Sequence, residues 1–221
     1  MEKKNKRWLV CAASLLMAFV LWTVLVRFIG VRAIGPEGSS VGFATLNRYV
    51  HELTGVNWLL YTVTDWLGLV PIAVALGFAI LGLVQLIKRK SLWKVDHSIL
   101  ALSVLYIVVI AVYAFFEMVV INHRPTLING YLEASYPSST TMLVTCVMPT
   151  AAMQLNARIK KTALRRCAII TITAFTAFMV MGRLISGVHW ITDIIGGLLF
   201  SSGIDLIYYS ISTRFTNSIK K

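Results

Sequence analysis

Three short polar stretches hold the residues of this sequence that can do chemistry. They are EMVVINHRP (Glu117 to Pro125), YPSST (Tyr136 to Thr140) and GRLISGVHWITD (Gly182 to Asp193). Arg124 and Arg183 offer forked, permanently charged donors that match phosphate oxygens. Pro137 followed by Ser138 reads as a helix start with Ser138 as N-cap, where exposed N–H groups and the helix dipole favour an anion. The run Ser138, Ser139, Thr140 is therefore the expected phosphate cradle. His189 and Asp193 are four residues apart, so they share one helical face. That spacing lets the carboxylate accept from one ring nitrogen and leave the other as a nucleophile. No metal-ligand spacing or cofactor motif occurs, so neither a metal nor a cofactor is expected.

The elements that must position these groups are helices in a membrane. Hydrophobic residues make up 57% of the 221-residue chain and charged residues 14%, and mean hydropathy is +0.77. Uncharged apolar runs of about 18 or more residues read as spanning helices. Six spans are expected, at about 8–29, 62–87, 97–120, 138–156, 163–183 and 190–211, forming one membrane-embedded domain over 1–221. The fold class is thus an all-α integral membrane bundle of six transmembrane helices with an outer amphipathic helix. Net charge is +12, but its placement argues for topology rather than nucleic acid. Lys3, Lys4, Lys6 and Arg7, then Lys88 to Lys94, Arg158 to Arg166, and Arg214, Lys220 and Lys221 all fall on one side of an even-numbered topology. The positive-inside rule makes that side and both termini cytoplasmic, and it puts the three polar stretches on the outer face. Short loops and small size suggest a bacterial plasma membrane.

Four smaller readings complete the chain. Ser39 or Ser40 is expected to cap the outer helix, whose apolar face carries Phe43, Leu46, Val50 and Leu53. His51 on that helix reads as a solvated surface residue. Cys11, Cys146 and Cys167 read as small buried hydrophobes. Asp205 is expected near the cytoplasmic interface, paired with Arg214 or a neighbouring hydroxyl.

In order and spacing the three stretches resemble the type 2 phosphatidic acid phosphatase superfamily, relatives of the vanadium haloperoxidases. That family's pattern is Lys-x6-Arg-Pro, then Pro-Ser-Gly-His, then Ser-Arg-x5-His-x3-Asp. Arg124 and Pro125 match the first block, Pro137 and Ser138 the second, and Arg183, His189 and Asp193 the third. The resemblance implies a membrane lipid phosphatase in which His189 attacks phosphorus to form a phosphohistidine. Asp193 then holds the imidazole tautomer, and Arg124, Arg183 and the Ser138 turn stabilise the equatorial oxygens. The implied substrate is a lipid phosphate such as phosphatidic acid or phosphatidylglycerol phosphate, or an isoprenyl pyrophosphate such as undecaprenyl pyrophosphate, in the bilayer.

Four positions depart from the pattern, which makes this an atypical member. Glu117 stands where the family has lysine, Ser139 where it has glycine, Thr140 where it has histidine and Gly182 where it has serine. By the resemblance, the histidine replaced by Thr140 is the acid that protonates the leaving oxygen, and a threonine hydroxyl gives up no proton near neutral pH. His123 and Glu117 are the candidate substitutes as proton donor, Glu117 only if burial makes it an acid. The alternatives to hydrolysis are a catalytically impaired lipid-phosphate binder or transporter, and a phosphotransferase to a lipid or sugar acceptor.

Overall fold

A computed structural model describes residues 2–218, with side chains from 5 to 213. The side chains of Lys3, Lys4 and Arg214, and all of Lys220 and Lys221, lie outside the described part. The first helix is α1 (Glu2–Phe28), followed by a two-strand ribbon of β1 (Arg32–Ala33) and β2 (Ser40–Val41). Then come α2 (Ala44–Thr54), α3 (Trp58–Leu67), α4 (Leu69–Arg89) and α5 (His97–Met118). The last three are α6 (Ser139–Arg158), α7 (Thr162–Ile185) and α8 (Ile191–Ser218).

Among the described residues, five stretches are long and apolar enough to cross a membrane. They are Asn5–Phe28, Trp58–Arg89 (α3 and α4 joined through Gly68), His97–Met118, Thr162–Ile185 and Ile191–Thr213. Their outward faces are apolar, with Met118 78% and Leu59 76% exposed, as a lipid-facing surface requires. The sixth expected span, α6, is not among them. This helix has 20 residues but is rich in Ser, Thr, Gln and Asn, and half of its residues are buried. It packs against α4, α5, α7 and α8. Surrounded by protein rather than lipid, it carries hydroxyls at little cost, because they bond back to its own carbonyls. Thr145 donates to the Thr141 carbonyl at 2.5 Å, and Thr150 to that of Cys146 at 2.8 Å.

Opposite the end that carries the polar stretches, Asp96 gathers three helix ends. It pairs with Arg89 at 3.0 Å and with Arg158 at 3.2 Å, and it accepts from Gln85 at 2.9 Å. The basic segments after α4 and α6 therefore share one end of the bundle. Asp205 is buried and sits against Cys146 rather than in that cluster, one carboxylate oxygen without a partner among the described residues. Cys146 is buried as expected, but Cys11 and Cys167 are exposed on α1 and α7. On spanning helices that surface faces lipid, where a small apolar thiol is at home.

The outer helix differs from expectation at its cap. Its N-cap is Phe43, in a left-handed conformation, while Ser39 and Ser40 lie in the ribbon region before it. Its buried face carries Ala44 and Asn47, while Leu46 and Leu53 point outward at 42% and 69% exposure. The reason is polar: Asn47 donates to the Gly42 carbonyl at 2.7 Å and to the Thr192 hydroxyl at 3.0 Å, tying α2 to the start of α8. Nor is His51 fully solvated, for its ring sits edge-on to Trp190, centroids 5.4 Å apart.

Aromatic packing fixes the segment that leads into α6. Tyr136 stacks on Phe19 and meets Phe116 edge-on, and its hydroxyl bonds Thr23 at 2.7 Å. The ring reaches α8 because residue 196 is glycine; a Cβ there would stand 2.7 Å from the Tyr136 ring.

Candidate active site

Three loops converge at the start of α8. The first is a hairpin, residues 122–135, whose paired backbone the motifs alone do not announce. Its tip is Asn129–Gly130, both at positive φ, with Ile128 and Tyr131 exchanging backbone bonds of 3.0 and 2.9 Å across it. Asn-Gly is the dipeptide that favours such a two-residue turn. Further in, the Arg124 N–H donates to the Glu133 carbonyl at 3.0 Å, and the Ser135 N–H to that of Asn122 at 2.9 Å. Asn122 and Ser135 thus lie opposite one another, beside Asp193.

The second loop is the turn before α6. Ser138 is the N-cap, as expected, and its Oγ accepts from the Thr141 N–H at 3.4 Å. Yet Ser138 is fully buried, and its own N–H donates to the Asp193 carbonyl at 3.1 Å. Its role is to tie α6 to α8. Helix geometry leaves the first-turn N–H groups of Ser139 and Thr140 without an intrahelical partner, so these are the donors available to an anion.

The third loop, between α7 and α8, turns at Gly187. This residue has φ +68°, and a Cβ would stand 1.8 Å from the Gly55 carbonyl oxygen. The Ser186 carbonyl accepts the Asn57 N–H at 3.0 Å, so the link between α2 and α3 braces the turn that presents His189. Trp190 immediately precedes α8. Asp193 Oδ2 reaches back to the Trp190 N–H at 2.9 Å, the return half of a capping box, and the indole donates to the His123 carbonyl at 2.7 Å.

His189 is buried at the centre. Its Nε2 lies 3.2 Å from an Arg124 Nη and 3.4 Å from an Arg183 Nη. Burial first, then the charges of Arg124 and Arg183, hold its pKa well below the ordinary 6.5, so the ring is neutral at neutral pH. Its Nδ1 lies 3.8 Å from Asp193 Oδ2, beyond hydrogen-bond length, and the Ser135 hydroxyl stands between them. Each arginine carries a carboxylate. Arg124 Nε lies 3.0 Å from Glu133, an ion pair off the N–H axis that leaves the buried Nε without a true hydrogen bond. Arg183 reaches Asp65 at 3.5 Å and lies over the Tyr61 ring.

The structure thus brings together Arg124, Arg183, His189 and Asp193, with the α6 turn alongside. It leaves both candidate proton donors off His189. His123 pairs with Ala134 in the hairpin, and alternation puts its side chain on the face opposite Asn122 and Arg124. Glu117 is exposed on the last turn of α5, where it meets Tyr113 rather than either arginine. The residues missed at the sequence level are Asp65, Asn122, Glu133 and Ser135. Asp65 had a signal, as the one carboxylate in the apolar stretch Trp58–Arg89. Glu133 had one in Asn129–Gly130, which folds it back onto Arg124.

A groove of about 710 Å³ opens between α4, α5 and α6. Most of its wall is apolar, including Leu76, Leu102 and Val147, while Asp65, Ser139 and Thr140 line it at the site end. The volume is in the range of small-ligand pockets.

The family model of the PAP2 superfamily matches residues 99–217. The fold is similar to the crystal structure of a transmembrane PAP2 type phosphatidylglycerolphosphate phosphatase from Bacillus subtilis. The TM-score is 0.61 at 20% identity, over 95% of this chain and 98% of that one. No curated protein matches the chain.

Proposed function

The chain belongs to the PAP2 superfamily, and from that premise we propose that it is an integral membrane lipid phosphatase with His189 as nucleophile. The observation that carries the reading is a buried, neutral imidazole whose Nε2 faces two arginines at 3.2 and 3.4 Å. An arginine only donates, so Nε2 presents a lone pair, and a phosphoryl group entering between the guanidiniums meets nucleophile and charge together. His189 Nε2 attacks phosphorus, and the P–O bond to the leaving group breaks as the P–N bond forms. Water then attacks the phosphohistidine, the P–N bond breaks and inorganic phosphate leaves. Arg124, Arg183 and the first-turn N–H groups of Ser139 and Thr140 take up the negative charge. Thr140 supplies no proton to the leaving oxygen, which favours a leaving group that needs none, such as the phosphate of an isoprenyl pyrophosphate.

The apolar groove that ends at Asp65, Ser139 and Thr140 supports a substrate with a long apolar chain. The same reading takes α6 as a sixth spanning helix, sets both termini in the cytoplasm and opens the site on the outer face of a plasma membrane. The basic cluster around Asp96, at the opposite end from His189, supports that orientation.

A second reading, a lipid-phosphate binder without turnover, is favoured by two observations: both arginines are occupied by carboxylates, and neither candidate acid, His123 or Glu117, is placed against His189. A panel of phosphatidic acid, phosphatidylglycerol phosphate and an isoprenyl pyrophosphate in mixed micelles separates the two. The phosphatase releases inorganic phosphate from at least one and loses that activity in His189→Ala. Binding without release, sensitive to Arg124→Ala and Arg183→Ala, overturns it. Transfer of the phosphoryl group to a hydroxyl acceptor with little free phosphate marks the transferase alternative.

A further inference from the structure

Resting on the phosphohistidine reading, we propose that Ser135 is a positioning residue: its hydroxyl joins Asp193 to His189 and holds the ring with Nδ1 protonated and Nε2 free. Asp193 does not reach the ring itself, since its nearer oxygen stops 3.8 Å from Nδ1. That oxygen already accepts the Trp190 N–H at 2.9 Å and the Ser135 hydroxyl, while the other faces the Asn122 amide at 3.3 Å and the Thr192 hydroxyl at 3.5 Å.

The proton assignment follows from what each group can do. A carboxylate only accepts, so the Ser135 hydroxyl proton points at Asp193. The serine oxygen then turns a lone pair towards Nδ1 at 3.1 Å, so Nδ1 carries the hydrogen. From the other side of the ring, Arg124 and Arg183 only donate, so Nε2 carries none. Two independent neighbours demand the same tautomer, and it is the one that leaves Nε2 nucleophilic. Ser135 is itself held by the hairpin, its N–H on the Asn122 carbonyl at 2.9 Å, and it is buried. When Nε2 attacks phosphorus, positive charge develops on the ring, and the Nδ1–H···Oγ–H···Oδ2 chain passes the carboxylate's stabilisation to it. No proton need leave Nδ1.

The test uses the full chain in detergent micelles with nitrogen-15-labelled histidine, the His189 signals being assigned by their loss in His189→Ala. The wild type is expected to show the Nδ1–H tautomer alone, Ser135→Ala a mixture of both, and Ser135→Thr the wild-type pattern. With phosphate release from the lipid panel as the second readout, Ser135→Ala lowers kcat about 10²-fold, the scale of a nucleophile displaced by about 1 Å, with KM unchanged. Ser135→Thr restores most of the rate. Ser135→Cys, near in size but a weak donor, makes the same comparison if the alanine variant does not fold. A single tautomer with full kcat in Ser135→Ala, Asp193 having closed the gap alone, overturns the proposal. So does a threonine variant that fails to restore the alanine variant's losses. If the wild type releases no phosphate from any lipid, the phosphatase reading fails, and the tautomer comparison still decides the role of Ser135.

Discussion

His189 owes its neutrality to burial and to two guanidinium neighbours, and this sets a sign for pH dependence. Its folded pKa lies below the ordinary value of 6.5, so the unfolded chain binds the proton more readily. The resulting stability is present above about pH 6.5 and is lost as pH falls below it. With His189 as the proposed nucleophile, the same shift keeps its ring free, so kcat/KM measured between about pH 6 and 8 should show no acid-side fall centred at 6.5. A fall centred there would place the imidazole in a solvated setting that the geometry denies. Glu133 gives a second prediction at this scale. Its carboxylate, 43% exposed, competes with phosphate for Arg124. Glu133→Gln should tighten competitive inhibition by inorganic phosphate up to about fivefold, the most that an exposed pair of about 1 kcal/mol allows. The residues that meet at His189 were legible because their chemistry is carried by side-chain type and spacing. Ser135 was not, since a serine next to a motif announces nothing until the hairpin brings it opposite Asn122.

Two glycines set the angle of the loops that present these side chains, and they separate strain from collision. Gly130 sits at φ +83° with open space around a notional Cβ, so Gly130→Ala should cost only the left-handed penalty of about 1–2 kcal/mol. Gly187 combines φ +68° with a Cβ 1.8 Å from the Gly55 oxygen, so Gly187→Ala should lower thermal stability clearly more than Gly130→Ala does. Equal shifts in Tm would contradict the close packing of the α7–α8 turn on the α2–α3 link. On α2, Asn47→Ala should cost about 1–3 kcal/mol, because it strands the Gly42 carbonyl and the Thr192 groups beside Asp193. Long apolar helices could be read from hydropathy alone. The buried face of α2 could not, because an apolar stripe was available and the helix instead buries an asparagine for its hydrogen bonds. α6 was read as a span for its length, while its hydroxyls show that it faces protein on most sides.

Across the whole molecule, the groove between α4, α5 and α6 joins the apolar interior of the membrane to a polar site at one end of the bundle. If a lipid chain lies there, Ala79→Trp on the groove wall should reduce kcat/KM for a long-chain lipid phosphate and leave a short, water-soluble phosphate ester unaffected. Equal losses on both would place the chain elsewhere. The fold class and the outline of the site follow from where charge and polarity interrupt hydrophobic sequence. The carboxylates on the two arginines and the hydroxyl between His189 and Asp193 depend on tertiary pairing, which composition does not encode. The central claim is that His189 carries the phosphoryl group. Its most direct test is to mix the purified protein with a phosphorus-32-labelled lipid phosphate, quench within one turnover in alkali and map the label by peptide mass spectrometry. An alkali-stable, acid-labile phosphate on His189, absent from His189→Ala, is the predicted result. Turnover with no label on His189, or lipid phosphate bound and never cleaved, would contradict it.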